Sequence, residues 1–304
     1  MSFEIKILGS SSATPVYNRN QTAQIVTING EHFLIDCGES TQVQLMKFRI
    51  KSGKINYIFI SHLHGDHFFG LIGLLSTLHL HGRTKDLYIF GPAGLDEIIT
   101  LQLKYSESNL NYKIIFQVLD PATPDTVLDL DKLTVSTIPL QHRVHCCGFL
   151  FQEKPKKRRI DKEKLPENLS LLNIANLKKG LDLQLEDGST IKNEEVTLPP
   201  KKSRSYAYCS DTIYNESIIP LIQGVDVLYH ESTFLHDMLQ RAEATYHTTA
   251  LQAATIAQKA KVGKLLLGHY SARYKDLRPF QEEARTVFPK SYLSIEGESH
   301  YIEE

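Results

Sequence analysis

Apolar and polar positions alternate with a period of two over residues 3–8, which predicts an opening strand. Residues 24–28 and 32–35 flank Asn29-Gly30, a dipeptide suited to a two-residue turn, and predict a hairpin. Residues 55–60 form a continuous apolar run rich in β-branched and aromatic side chains, the pattern of a buried strand. Residues 68–79 are apolar at helical spacing. Residues 87–90 read as a strand stopped by Gly91-Pro92, and residues 93–105 as a helix. Further strands are predicted at 112–119, 133–137, 148–151, 206–209, 225–229 and 264–267. Helices are predicted at 248–259 and at 279–287, the latter with proline at its start. Strands followed by helices in two halves predict an α/β fold in which helices cover sheets.

Composition agrees with a folded chain that can bury a sizeable core. Of 304 residues, 41% are hydrophobic and 23% charged, which excludes a disordered polymer. No run reaches the ~18 apolar residues of a membrane span, and no basic segment leads into a long apolar one at the start, so neither a membrane nor a signal peptide is expected. Cys37, Cys146, Cys147 and Cys209 form no CxxC pair, which suits buried thiols in a reducing cytoplasm. The net charge of −1 at first argues against a nucleic-acid partner. Its distribution reverses that argument. Residues 152–204 carry 13 Lys and Arg against 9 Asp and Glu, a surplus of four, so the rest of the chain carries −5. This stretch interrupts two core strands and contains Pro155, Pro166, Pro199 and Pro200. It reads as an inserted basic arm within one domain of residues 1–304, although a solvated surface loop has the same composition.

The sharpest chemical signal is Ser61-His62-Leu63-His64-Gly65-Asp66-His67, directly after the buried strand at 55–60. In an extended segment His62 and His64 face one side. Gly65 permits a sharp turn, and Asp66 and His67 then fall at a second position. Imidazole and carboxylate suit Zn²⁺.

This HxHxDH signature resembles that of the metallo-β-lactamase superfamily, which implies an αββα sandwich and further ligands at later strand ends. His142, Asp211 in Cys209-Ser210-Asp211-Thr212, and His269 in Leu267-Gly268-His269-Tyr270 occupy such places. The resemblance implies two Zn²⁺ per subunit, with Mn²⁺ or another divalent ion as an alternative. His62, His64 and His142 would hold one ion. Asp66, His67 and His269 would hold the other, and Asp211 would bridge them. Asp66 would also orient the attacking water or take its proton. Asp36, in Ile35-Asp36-Cys37-Gly38, would orient a ligand histidine.

Within the superfamily, Tyr229-His230-Glu231-Ser232-Thr233 with Tyr246-His247-Thr248-Thr249 is similar to ribonuclease Z, the short-form tRNA 3′ processing endonuclease family. There His247 would be the general acid and Glu231 the carboxylate that keeps it protonated. Pro15-Val16-Tyr17-Asn18-Arg19-Asn20 resembles the family's PxKxRN loop, with Tyr17 in place of lysine offering a ring for base stacking. Ser271-Ala272-Arg273-Tyr274 resembles its SxRY element. Arg19, Asn20 and Arg273 would thus contact substrate. Residues 152–204 stand where the family inserts its tRNA-gripping arm, with Lys156, Lys157, Arg158, Lys201 and Lys202 as expected contacts. The resemblance implies precursor tRNA as partner, a homodimer, and zinc-dependent cleavage after the discriminator nucleotide. A small-molecule phosphodiesterase or arylsulfatase on the same site, and a tRNA-binding protein with a structural metal, remain as alternatives.

Overall fold

Strand β1 (Phe3–Gly9) buries Phe3, Ile5 and Ile7 on one face, as its alternation predicts. The computed structural model to which it belongs describes residues 2–16, 19–166, 169–185 and 188–304, so Tyr17 lies outside the described residues. β2 (Ala23–Ile28) and β3 (Glu31–Ile35) pair antiparallel around Asn29 and Gly30, whose φ values of 54° and 88° are the left-handed pair that such a turn requires. From β3 the sheet continues in parallel through β4 (Ile55–Phe59), β5 (Leu87–Gly91) and β6 (Ile114–Val118). Helices α1 (Thr41–Lys47), α2 (Gly65–Phe68), α3 (Leu71–Leu80) and α4 (Leu95–Tyr105) lie among these strands. Leu45, Leu74, Leu78 and Ile99 seal the sheet's outer face against Leu34, Ile58 and Ile89.

A second sheet begins with the antiparallel strands β7 (Thr126–Asp129), β8 (Leu133–Leu140) and β9 (Cys146–Glu153). The chain then forms β10 (Arg159–Ile160), α5 (Leu171–Lys178), β11 (Leu183–Gln184), β12 (Thr190–Ile191), α6 (Asn193–Val196) and β13 (Thr197–Leu198). These short elements have an apolar cluster of their own, Leu177, Leu183 and Val196. β14 (Ser205–Cys209) re-enters the second sheet beside β9, followed in parallel by β15 (Val227–Glu231), β16 (Lys264–Gly268) and β17 (Ser291–Leu293). Helices α7 (Leu239–Thr245), α8 (Ala250–Lys259) and α9 (Arg278–Arg285) belong to this half, and β18 (Ser299–Tyr301) returns to pair with β1.

Among the described residues there are thus two seven-stranded sheets. Their inner faces meet through Phe33, Phe59, Phe149, Phe151, Tyr206 and Tyr229, with the Phe59 and Phe149 rings 5.2 Å apart. Helices cover both outer faces, giving the αββα sandwich that the signature implied. The loops following β3, β4, β14 and β16, with the end of β15, carry Asp36, His62–His67, Asp211, His269 and Glu231. Loops at the carboxyl ends of parallel strands are where α/β folds build sites.

Two departures from the sequence expectation bear on the site. The helix expected over 68–79 is interrupted at Phe69-Gly70, because the Gly70 N–H donates to the Cys37 carbonyl (2.9 Å) in the loop after β3, an approach so close that a Cβ on Gly70 would lie 2.1 Å from the Gly38 carbonyl oxygen. The strand expected at 133–137 runs on to Leu140, so His142 follows it by two residues. Close packing also makes Gly268 irreplaceable. A Cβ would fall 2.4 Å from the ring and hydroxyl of Tyr229, which is fully buried and stacked on Tyr208 at 4.9 Å. Gly268→Ala is therefore expected to lower stability by about 1–3 kcal/mol, the usual cost of overpacking. A urea midpoint equal to wild type would remove that argument.

Candidate metal centre

His62 and His64 come from the turn after β4, where His64 is extended (φ −74°, ψ 142°), and Asp66 and His67 from the single helical turn α2 that Gly65 starts. A side chain at Gly65 would meet the ring of Phe69, itself exposed, at 2.2 Å, so a larger residue there would have to displace that ring. The ligand-type atoms of His62, His64, His142 and Asp211 lie within 4.8 Å of one another, as do those of Asp66, His67 and His269. Asp211 stands between the two sets. Its Oδ2 is 3.7 Å from His62 Nε2 and 3.8 Å from His142 Nε2, while its Oδ1 is 3.4 Å from His67 Nε2 and 3.2 Å from His269 Nε2.

The tautomers can be worked out from the outward-facing nitrogens. His67 Nδ1 donates to Asp36 Oδ2 at 2.8 Å, and His142 Nδ1 to the Tyr246 carbonyl at 2.9 Å. Thr233 Oγ1 donates its proton to Glu231 Oε2 (2.8 Å) and so accepts from His269 Nδ1 (2.9 Å). Ser61 Oγ likewise donates to Asp36 and accepts from His62 Nδ1, both at 3.0 Å. Each outward nitrogen carries a proton, so each Nε2 presents a lone pair inward. Those lone pairs converge: His62 Nε2 lies 3.0 Å and His142 Nε2 3.2 Å from His64 Nδ1, and His67 Nε2 lies 3.3 Å from His269 Nε2. Asp211 Oδ1 is buried without a hydrogen-bond partner. Bare lone pairs and an orphaned carboxylate oxygen facing one another in a buried site fit divalent cations, with nitrogen and oxygen donors of the kind Zn²⁺ takes.

Asp36 lies behind His67, one of the ligand-type histidines. Its carboxylate accepts from His67, from the Ser61 backbone N–H (2.8 Å) and from Tyr208 Oη (2.6 Å). Tyr208, on β14, and Thr233, just past the end of β15, were not singled out from sequence, although Thr233 lies inside a motif already noted.

Glu231 and His247 form a second constellation beside the first. Glu231 is fully buried and accepts from the N–H groups of Thr212 (3.1 Å) and Thr233 (3.0 Å). Its Oε1 lies 2.9 Å from His247 Nδ1. Burial disfavours the imidazolium, yet Glu231 more than offsets this and pushes His247 up to about 9. His247 does not cap the adjacent helix. Thr249 does, in a reciprocal capping box with Gln252.

A cleft of about 660 Å³ opens over both constellations, with Asp66, Asp211, His247, His269 and Arg273 in its wall. Arg143, Arg241 and Phe69, which were not anticipated, also line it. Arg241 lies on α7, a helix without a clear sequence pattern. Pro15 lines the cleft, but Arg19 and Asn20 are not among its lining residues. Arg19 donates to the Ser271 carbonyl at 3.4 Å, and the Asn20 amide is held by Glu296 at 2.8 Å. The expected arm contacts do not line this cleft and bond to other residues: Lys156 and Lys201 pair with Glu304, Lys202 with Asp226, and Arg158 Nε with Thr197 Oγ1 at 2.8 Å. Lys157 is exposed.

Fold and donor set together define a metallo-β-lactamase-fold protein with a His/Asp metal centre. Residues 3–158 fall within the family described as Anti-Pycsar protein Apyc1, a match that stops before Asp211, Glu231, His247 and His269. Full-length similarity is more discriminating. Ribonuclease Z of Cytophaga hutchinsonii is 53% identical over 305 residues, covering 100% of this chain and 97% of the relative. Ribonuclease Z of Bacteroides fragilis is 46% identical, covering 97% of each. Human tRNase Z, short form (ELAC1), superposes with a TM-score of 0.72 at 26% identity, over 99% of this chain and all of that one. The metallo-β-lactamase-fold protein YhfI from Bacillus subtilis shares the fold with a TM-score of 0.70 at 21% identity, over 99% and 100% of the two chains. This chain belongs to the ribonuclease Z family.

Proposed function

We propose that this chain removes the 3′ trailer from precursor tRNA, cutting after the discriminator nucleotide to leave a 3′ hydroxyl on the tRNA and a 5′ phosphate on the trailer. The observation that carries this reading, beyond family membership, is the Glu231–His247 pair set beside the metal centre, because an acid for a poor leaving oxygen is what cleavage of an RNA phosphodiester needs. His62, His64 and His142 would hold one divalent ion and Asp66, His67 and His269 a second, with Asp211 between them. Zinc, or manganese in its place, supplies Lewis-acid polarisation at phosphorus and a more acidic water when bound.

The chain's own groups do the rest. Asp66 orients the attacking water and accepts its proton. His247 keeps Nδ1–H on Glu231 and delivers a proton from Nε2 to the leaving 3′ oxygen. Arg273, whose guanidinium lies 5.4 Å from the Phe234 ring centre at the cleft wall, clamps the phosphate. Residues 152–204 grip the tRNA away from the cut through phosphate contacts that weaken with salt. In a homodimer, one subunit's arm would serve the other's cleft. Buried free cysteines fit a cytoplasmic enzyme, and among the described residues no helix is long and apolar enough to cross a membrane.

The test is incubation with a 3′-extended precursor tRNA and, in parallel, with bis(p-nitrophenyl)phosphate. Cleavage next to the discriminator is expected. Replacing the arm by a short linker is expected to raise KM for the precursor by about a hundredfold, the loss of a few phosphate contacts, with hydrolysis of the small diester kept. Equal loss on both substrates would deny the arm a separate role in gripping RNA. Wild-type enzyme that cuts only the small diester would favour the phosphodiesterase reading.

A further inference from the structure

The two segments that join residues 159–198 to the rest of the molecule have no strand ladder between them. β9 and β14 pair out to Gln152 and Ser205; beyond that the Glu153 N–H donates to the Arg204 carbonyl (2.9 Å) and Ser203 Oγ to the Lys154 carbonyl (3.1 Å), and strand pairing resumes only between Arg159 and Leu198, where Arg159 Nε also donates to the Pro199 carbonyl (3.1 Å). Pro155, Pro199 and Pro200 fall in the gap and lack the N–H that a ladder would use.

On the body side the gap is locked. Arg204, buried, forks onto Glu153 (Nη2 to Oε1 2.6 Å, Nε to Oε2 3.0 Å) and donates from Nη1 to the Ile302 carbonyl at 3.1 Å. Within the gap, one carboxylate spans both segments. Glu304 Oε1 accepts from Lys156 Nζ at 2.8 Å on the entering segment, and Oε2 accepts from Lys201 Nζ on the leaving one. Lys156 also reaches Glu153 at 2.9 Å, which joins this bridge to the buried fork. A cavity of about 520 Å³ lies at the same place, lined by Lys132, Lys154, Lys157 and Arg159 as well as by the bridge. Asp131 and Glu153 also line it, but without Glu304 the Lys201 ammonium would lose its carboxylate and Lys156 would keep only Glu153. The two lysines hold the Glu304 carboxyl low, at about 2, so it is ionised at neutral pH.

We propose that Glu304 is a positioning residue for the arm: its carboxylate replaces the missing ladder and fixes the angle at which the arm leaves the catalytic body. This rests on the reading of the arm as the tRNA grip. Isolated surface pairs contribute little, but a carboxylate shared by two segments and tied into a buried fork is a network.

The test compares wild type with Glu304→Gln and Glu304→Lys in the full chain. Steady-state kinetics on a 3′-extended tRNA and on bis(p-nitrophenyl)phosphate are measured, with hydrogen exchange over residues 154–159 and 199–203. Glu304→Lys is expected to raise KM for the tRNA about fivefold, with kcat and the small-diester rate unchanged and exchange in both segments faster. Glu304→Gln should fall between. A lower KM in Glu304→Lys would mean that Glu304 merely masks lysines that bind RNA, and would overturn the proposal, as would unchanged exchange. If the wild-type protein cuts no tRNA, the functional reading falls, while faster exchange in Glu304→Lys would still support the bridge.

Discussion

Asp211→Asn is expected to abolish cleavage of both tRNA and small diester, by about 10⁴-fold or more, while leaving the fold intact. The size follows from what divalent metal provides in such sites, a fall in water pKa from about 15.7 to about 7. The selectivity follows from how Asp211 is held. Its Oδ1 is buried without a hydrogen-bond partner, and its neighbours are His62, His67, His142 and His269 at 3.2–3.8 Å. The nearby backbone is supported by other residues: Thr212 N–H donates to Glu231, and Thr248 Oγ1 donates to the Thr212 carbonyl. An amide of the same shape therefore removes the charge between the two ligand sets without removing a structural contact. The bound divalent ion per chain, measured by elemental analysis after gentle purification, should fall with activity while the circular dichroism spectrum stays that of wild type. Full metal content in Asp211→Asn would defeat the assignment of Asp211 as a bridge.

The parts of this site that were legible in the sequence are the ones built locally. A buried strand followed at once by His62, His64, Asp66 and His67 declares its chemistry within six residues, and the later ligands could be sought at strand ends because the fold puts strand ends together. Glu231 and His247 were legible as paired motifs. Three kinds of feature were not. Strand β7 is half exposed on both faces and shows no alternation, and β18 is Ser-His-Tyr, so only pairing with β8 and β1 makes them strands. The break between α2 and α3 depends on contact with Gly38, about thirty residues away in the chain, which periodicity cannot register. The charge run in the arm gives composition but not partners. Lys156 and Lys201 read as free cations until the structure sets Glu304, over a hundred residues on, between them. Tyr208 and Glu296 belong to the same class. Each supports a loop near the site from a distant strand or turn, with no motif to mark it.

His247→Ala is expected to separate the two substrates where Asp211→Asn does not. A general acid contributes about 10²- to 10⁴-fold to a step in which the leaving oxygen needs its proton. The ribose 3′ oxygen is such a leaving group. p-Nitrophenolate is stable without a proton, so the small diester gains little from the acid. kcat on precursor tRNA should therefore fall by about 10²-fold or more, with KM near wild type, because His247 acts after the phosphate is seated. The rate on bis(p-nitrophenyl)phosphate should change far less, and metal content should not change. Glu231→Gln should repeat the pattern more weakly. Its buried carboxylate, 2.9 Å from His247 Nδ1, holds the imidazole protonated and aimed, and an amide keeps the shape but not the charge. Parallel losses on both substrates in His247→Ala would instead assign His247 to the metal centre. That outcome has a structural basis, because His247 Nδ1 stands 4.0 Å from Asp211 Oδ2 and its ring lies 5.2 Å from that of His142. The leaving-group comparison thus decides between two roles that proximity alone leaves equal.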